Sequence, residues 1–140
     1  MGAAQVVERR DLPIRRLSIR NLPGVDLKNR EGGSVLRPRL MEDDITAFGC
    51  YITNDDMMPV WKPGVLLFCT RMCDPGIGDA VVLFRKGKDA VIRIVSDVSE
   101  EGFETVHMQK QKDGSFCSVK DVAPFEDLEE IAVIIYASRI

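Results

Sequence analysis

The longest uninterrupted apolar run in the chain, Ile131-Ala132-Val133-Ile134-Ile135-Tyr136-Ala137, is of β-strand length, and this limit constrains the fold more than any other feature. A membrane helix needs about 20 apolar residues, so none is encoded. The other apolar blocks are shorter still. Val65–Cys69 and Ala80–Phe84 are strand-sized and are flanked by turn chemistry: Pro63-Gly64 before the first, and Cys73-Asp74-Pro75-Gly76-Ile77-Gly78-Asp79 between the two. Lys86-Gly87-Lys88-Asp89 then joins the second block to Ala90–Val95 as a hairpin.

Ala47–Thr53 and Phe103–Gln109 read as further strands, and Asp113-Gly114 marks a turn before Ser115–Val119. Val122–Leu128, with Pro124 and several acidic residues, is expected to be a connection, and Ile131–Tyr136 is expected to close the sheet. Upstream, Ser34–Leu40 reads as an extended piece broken by Pro38, and Met41–Asp44 as a turn. The fold class is therefore all-β with little helix, built as strongly bent sheets or a partly closed barrel. A chain of 140 residues, 45% of them apolar, suffices for one such domain and is too short for two of ordinary size.

Charge divides the chain. Residues 1–40 hold nine Arg or Lys against four Asp or Glu, whereas the remaining hundred hold ten against eighteen. This predicts a basic N-terminal arm or linker over residues 1–30 and an acidic domain over 31–140. The arm carries Arg9-Arg10, Arg15-Arg16 and Arg20 but no aromatic residue for base stacking and no helix-turn-helix pattern. Sequence-specific DNA binding by this chain alone is not expected, and a solvated linker is.

Cys50, Cys69, Cys73 and Cys117 follow no disulfide spacing, which suits reduced thiols in the cytoplasm. The N-terminus Met1–Gln5 has no signal-peptide hydrophobic region. Only Cys69 and Cys73 are close in sequence, with Cys117 and the single His107 far away, so no tetrahedral zinc set is encoded and no metal or cofactor is expected. The acidic pairs Asp43-Asp44 and Asp55-Asp56 invite a paired-carboxylate reading, but adjacent side chains in extended backbone face opposite ways.

One segment carries chemistry of its own. Asn54-Asp55-Asp56-Met57-Met58-Pro59-Val60-Trp61-Lys62-Pro63-Gly64 resembles the nucleophile motif of the LexA-like family, which includes LexA, the UmuD proteins, self-cleaving phage repressors and, more remotely, signal peptidases. That motif runs Gly-Asp-Ser-Met-x-Pro and then Pro-Gly-Asp. Asp55, Met57, Pro59, Pro63 and Gly64 are in register with it, and Asp56 stands where the serine belongs. Gly78-Asp79 matches the family's Gly-Asp before the next strand. The family's lysine base lies on the following strand. An ungapped alignment of Val91-Ile92-Arg93-Ile94 puts Ile92 there, and a one-residue slip puts Arg93 there.

Neither residue is a base. Isoleucine does not titrate, and arginine stays protonated at any physiological pH. A carboxylate at the serine position cannot form the acyl-enzyme and would repel the developing oxyanion. The resemblance places the family's scissile Ala-Gly near Arg20-Asn21, where none occurs; Pro23-Gly24 and Gly32-Gly33 read equally well as turns. A rewired protease would need Ser18, Ser34 or a cysteine with Lys62, Lys86 or Lys88, and no spacing supports one.

The resemblance, spanning roughly residues 12–137, thus implies a non-catalytic pseudo-peptidase: the regulatory and dimerisation domain of a phage- or prophage-type repressor. Its DNA-binding head would be separate or removed. It implies a homodimer or higher homo-oligomer in a bacterial or phage-infected cell, with no membrane partner. Ile131, Val133, Ile135 and Tyr136 are the expected pairing strand. Met58, Trp61 and Arg93 are candidates for a vestigial groove that a protein partner occupies, although packing beneath the motif explains the first two as well. The alternatives are a UmuD-like accessory subunit that binds a DNA polymerase, or a self-cleaving protease with a rewired site.

Overall fold

The computed structural model describes residues 11–17 and 31–138. They form one mixed sheet of nine strands: β1 (Asp11–Arg15), β2 (Glu31–Leu36), β3 (Phe48–Tyr51), β4 (Leu66–Thr70), β5 (Ala80–Arg85), β6 (Val91–Val98), β7 (Gly102–Lys110), β8 (Phe116–Pro124) and β9 (Leu128–Ser138). The spatial order is β2-β1-β3-β4-β9-β5-β6-β7-β8, with β2 and β8 at the edges. The all-β expectation holds, and the sheet is not closed into a barrel. Helical structure among the described residues amounts to two 3-10 turns, Arg39–Met41 and Phe125–Asp127.

The strands form where apolar residues serve two faces at once. Leu67 and Cys69 of β4, Val82 and Phe84 of β5, Ile92 of β6 and Ala132 and Ile134 of β9 build the central core. The alternate residues of the same strands face the other way and build two smaller clusters. Leu66 and Phe68 join Leu12 and Ile14 of β1, while Val81 and Leu83 join Val95, Phe103 and Val133. Burial on both faces explains why the β4 and β5 blocks are nearly continuous in apolar residues.

Three expectations are corrected. The sheet begins before residue 30: β1 pairs antiparallel with β2 and parallel with β3, and Leu12 and Ile14 are buried, so this part of the arm is not solvated linker. Arg15 of β1 lies over the rings of Phe84 and Phe48, 4.0 and 4.9 Å from their centroids, and pairs with Glu130 of β9. Gly49 lets β1 and β3 approach, because a Cβ there would stand 2.8 Å from Ile14 Cδ1. Second, β8 runs on through Val122–Pro124, and only Phe125–Asp127 is the connection.

Third, β9 does not close the sheet but lies in its middle, paired to β4 on one side and β5 on the other. β4 partners residues 133–138 of β9 and β5 partners residues 128–133, so the strand is flanked on one side along its second half and on the other along its first. Ile131 and Val133 pack into the β5–β7 cluster and Tyr136 stacks on Phe68, with centroids 4.6 Å apart. The β4–β9 register shifts between Phe68 and Cys69, where Tyr136 and Ile134 are the partners, so Ile135 is the extra residue of a β-bulge. It is the exposed one of the four expected pairing residues.

Candidate functional site

Residues 54–64, the motif segment of the sequence analysis, lie in a closed loop between β3 and β4. Ile52 N–H donates to Val65 O at 2.9 Å and Gly64 N–H to Ile52 O at 2.7 Å, so the loop leaves and re-enters the sheet at one place. Gly64 takes φ +97°, which an L-residue rarely adopts. Inside the loop, Asn54 Oδ1 accepts from Asp56 N–H at 3.0 Å, Asp55 O from Met58 N–H at 3.0 Å, and Met57 O from Trp61 N–H at 3.0 Å. Met57 is buried in the central core beside Ile92, and Trp61 packs partly against it. The Met58–Pro59 peptide bond is cis. Met58 is half-buried, whereas Asp55, Pro59, Lys62 and Pro63 are exposed.

Ile92 and Arg93 of β6 face opposite sides of the sheet. Ile92 points into the core, 2% exposed. Arg93 points the other way and reaches the loop: its Nη1 lies 2.9 Å from Asp56 Oδ2 and also donates to Ile92 O at 2.9 Å. The Arg93 side chain is 11% exposed and that of Asp56 30%, so the pair is shielded on the cation's side and open on the anion's. β6 and β7 are paired as far as Ile94 and Val106. Just beyond, Met108 N–H of β7 donates to Asp56 O at 2.6 Å. The motif loop is therefore held at Asp56 twice, by a side-chain ion pair to β6 and a backbone bond to β7.

His107 completes the cluster and was not foreseen as part of it. Burial and the Arg93 charge hold its pKa below the ordinary 6.5, opposed by Asp56 and Asp121. Its Nδ1 is shielded from solvent and has no hydrogen-bond partner. No local pattern marks a residue 51 positions from Asp56; only the strand pairing brings them near. Leu17 was likewise missed: it joins the core beside Met57 and Ile92, and its carbonyl accepts from Ala90 N–H at 2.7 Å.

The remaining sequence candidates are dispersed. Gly78-Asp79 does open β5: Gly78 has φ +92°, Asp79 Oδ2 accepts from Gly76 N–H at 2.8 Å, and Asp79 O accepts from Val95 N–H at 2.9 Å. Asp44 belongs to another cluster. Burial raises its pKa, but hydrogen bonds from the Thr46 and Thr70 hydroxyls and the Thr46 amide, with the Arg37 charge, outweigh this and hold it below its usual value. Ser34 is exposed on β2, 3.4 Å from Asp11 Oδ2. Cys50 and Cys69 are buried, and burial pushes the Cys69 thiol well up; Cys73 and Cys117 are exposed. Lys86 bonds Glu126 O at 2.7 Å. Ser18, Arg20-Asn21, Pro23-Gly24 and Arg9-Arg10 lie outside the described residues.

Among the described residues, no group of three or more His, Cys, Asp or Glu side chains is placed to hold a metal ion, and no helix is long and apolar enough to cross a membrane. Comparison with protein-family models, curated proteins and solved structures finds no match to this chain.

Proposed function

We propose that the chain is a catalytically silent LexA-like regulatory domain of a phage- or prophage-type transcriptional repressor. It pairs two copies in the cytoplasm and reaches DNA through a separate head. The observation that supports this most is the 2.9 Å ion pair between Asp56, at the position the resemblance gives to the serine, and Arg93, one residue from the Ile92 that the ungapped alignment sets at the base. A serine–lysine dyad works by passing a proton from a hydroxyl to a neutral amine. A carboxylate and a guanidinium are both fully charged at neutral pH, so no proton moves between them and no neutral nucleophile exists. What the pair does is fasten the motif loop to β6. Half-buried Met58 and Trp61 remain at the loop as the contact points for a protein partner.

The test is intact-mass analysis of the wild-type chain and an Asp56→Ser/Arg93→Lys double variant after prolonged alkaline incubation, with and without a supplied Ala-Gly peptide. The wild-type chain is expected to keep its mass. A break upstream of β2 that persists on dilution would mean intramolecular cleavage and overturn the silent reading. The double variant is expected to acquire peptide cleavage. If it is folded yet inert, the assignment of Asp56 and Arg93 to the dyad positions fails.

A further inference from the structure

Several of the chain's exposed large apolar side chains meet in one place. Leu40 is 86% exposed, Met72 69% and Ile135 43%, and with Cys73 they line a shallow groove of about 350 Å³. Singly exposed apolar residues are ordinary, but a contiguous group on a rigid support marks an interaction surface.

The support here is rigid. Arg37, 5% exposed, donates to Met41 O at 3.1 Å and Asp44 O at 2.7 Å, tying down the C-terminal end of the 3-10 turn that carries Leu40 and the turn that follows it. Asp44 in turn accepts from Thr46 N–H at 2.8 Å, from the Thr46 hydroxyl at 2.6 Å and from the Thr70 hydroxyl of β4. Neighbouring Met41 fills the core while Leu40 is held outward. Opposite it, the bulge in β9 turns Ile135 out of the sheet. A side chain presented by a fixed turn and another by a bulge lose little conformational freedom when they are covered.

The rim of the groove says what covers it. Arg39 and Asp43 both line it, and neither side chain has an ion pair or side-chain hydrogen bond among the described residues. In a two-fold dimer formed through the groove, an Arg39–Asp43 contact between copies would be made twice, because an isologous contact from i to j is repeated from j to i. One surface thus supplies both signs that its own duplicate requires. A nucleic acid would meet the Asp43 carboxylate with its phosphates, and so would an anionic membrane.

We infer that this face, centred on Leu40, Met72 and Ile135 and rimmed by Arg39 and Asp43, is the surface by which two copies of the chain associate. The inference rests on the dimerisation proposed above and places the contact on this exposed face rather than along the β9 backbone. The experiment is sedimentation equilibrium of the full 140-residue chain and of Leu40→Asp, Arg39→Asp and Arg39→Asp/Asp43→Arg, each checked by circular dichroism and melting temperature. The wild-type chain is expected to dimerise. Leu40→Asp should be monomeric with an unchanged circular dichroism spectrum and the melting temperature of the wild-type chain diluted to monomer, because Leu40 contributes almost no burial within one copy. Arg39→Asp should weaken association about tenfold or more, and the charge-swapped pair should recover it. If Leu40→Asp and Arg39→Asp dimerise as tightly as the wild-type chain, this face is not the interface while dimerisation itself stands. A wild-type chain that stays monomeric at high micromolar concentration overturns both.

Discussion

Arg93 Nη1 is equidistant, at 2.9 Å, from a side-chain oxygen of Asp56 and from the carbonyl of its own neighbour Ile92. The guanidinium is held by its own strand before it reaches the loop. Removing the carboxylate therefore strands a positive charge that is 89% shielded. Asp56→Ala is expected to destabilise the fold by about 1.5–3 kcal/mol, the range for a lost hydrogen bond to a charged group, read as a lower urea midpoint with an unchanged slope. Equal midpoints would mean that the motif loop is held without the pair.

Lysine substitutions at the adjacent positions should separate sharply. Arg93→Lys keeps the charge and reach beside Asp56 and is expected to cost about 1 kcal/mol or less beyond its lost second donor. Ile92→Lys forces an ammonium into the core beside Met57 and should cost about 3 kcal/mol or more, or unfold the chain. Thermal melts of the two single variants check this. Similar melts would show that both positions face the same environment.

The His107 shift has a definite sign. Burial and Arg93 keep the folded-state pKa below 6.5, so as pH falls the unfolded chain takes up the proton first. The stability that neutral His107 contributes is complete above pH 6.5 and is lost as pH falls toward the lowered folded value. His107→Gln is expected to remove that part of the decline as pH falls below 6.5, seen as a flatter plot of urea midpoint against pH. Parallel plots would show that other groups carry the dependence.

Leu12 tests whether the N-terminal strand belongs to the fold. It is fully buried in the β1–β4 cluster, so Leu12→Ala should cost about 2–5 kcal/mol. Were the segment a solvated linker, the same change would leave the urea midpoint where it was.

Gly102 permits the closest approach of β7 and β8. A Cβ there would stand 2.8 Å from Pro124 Cα and closer still to the Ala123 carbonyl, both backbone atoms that cannot step aside. Gly102→Ala is expected to cost about 1–3 kcal/mol and to raise amide exchange at the adjoining ends of these two strands. Unchanged exchange there would mean that the strands part without consequence.

Strand identity was legible wherever the pattern is local. The β4, β5, β6 and β7 blocks were placed to within a few residues, because apolar content and turn residues act over short spans. What was illegible depends on which strands are neighbours. Asp11–Arg15 holds two apolar residues flanking a proline, too little to mark a strand; it becomes one because Leu12 and Ile14 find a cluster made by β4. The position of β9 could not be read, although its long apolar run is what a strand buried on both faces requires. At the site, the ungapped alignment chose Ile92 as the counterpart of the base, and Arg93, which the structure sets against Asp56, is one residue away. In a strand a one-residue slip exchanges the two faces, and only the location of the core tells them apart.

The central place of β9 also bears on how the sheet comes into being at the ribosome. Strands β1 to β4 lie on one side of it and β5 to β8 on the other, so the two halves of the sheet are joined through the strand that is synthesised last of the nine. Until residues 128–138 emerge, β4 and β5 each present an unpaired hydrogen-bonding edge made of strongly apolar residues. Once β8 is made, the nascent chain has the strands of two incomplete half-sheets, and the arrival of one eleven-residue segment joins them into a finished domain.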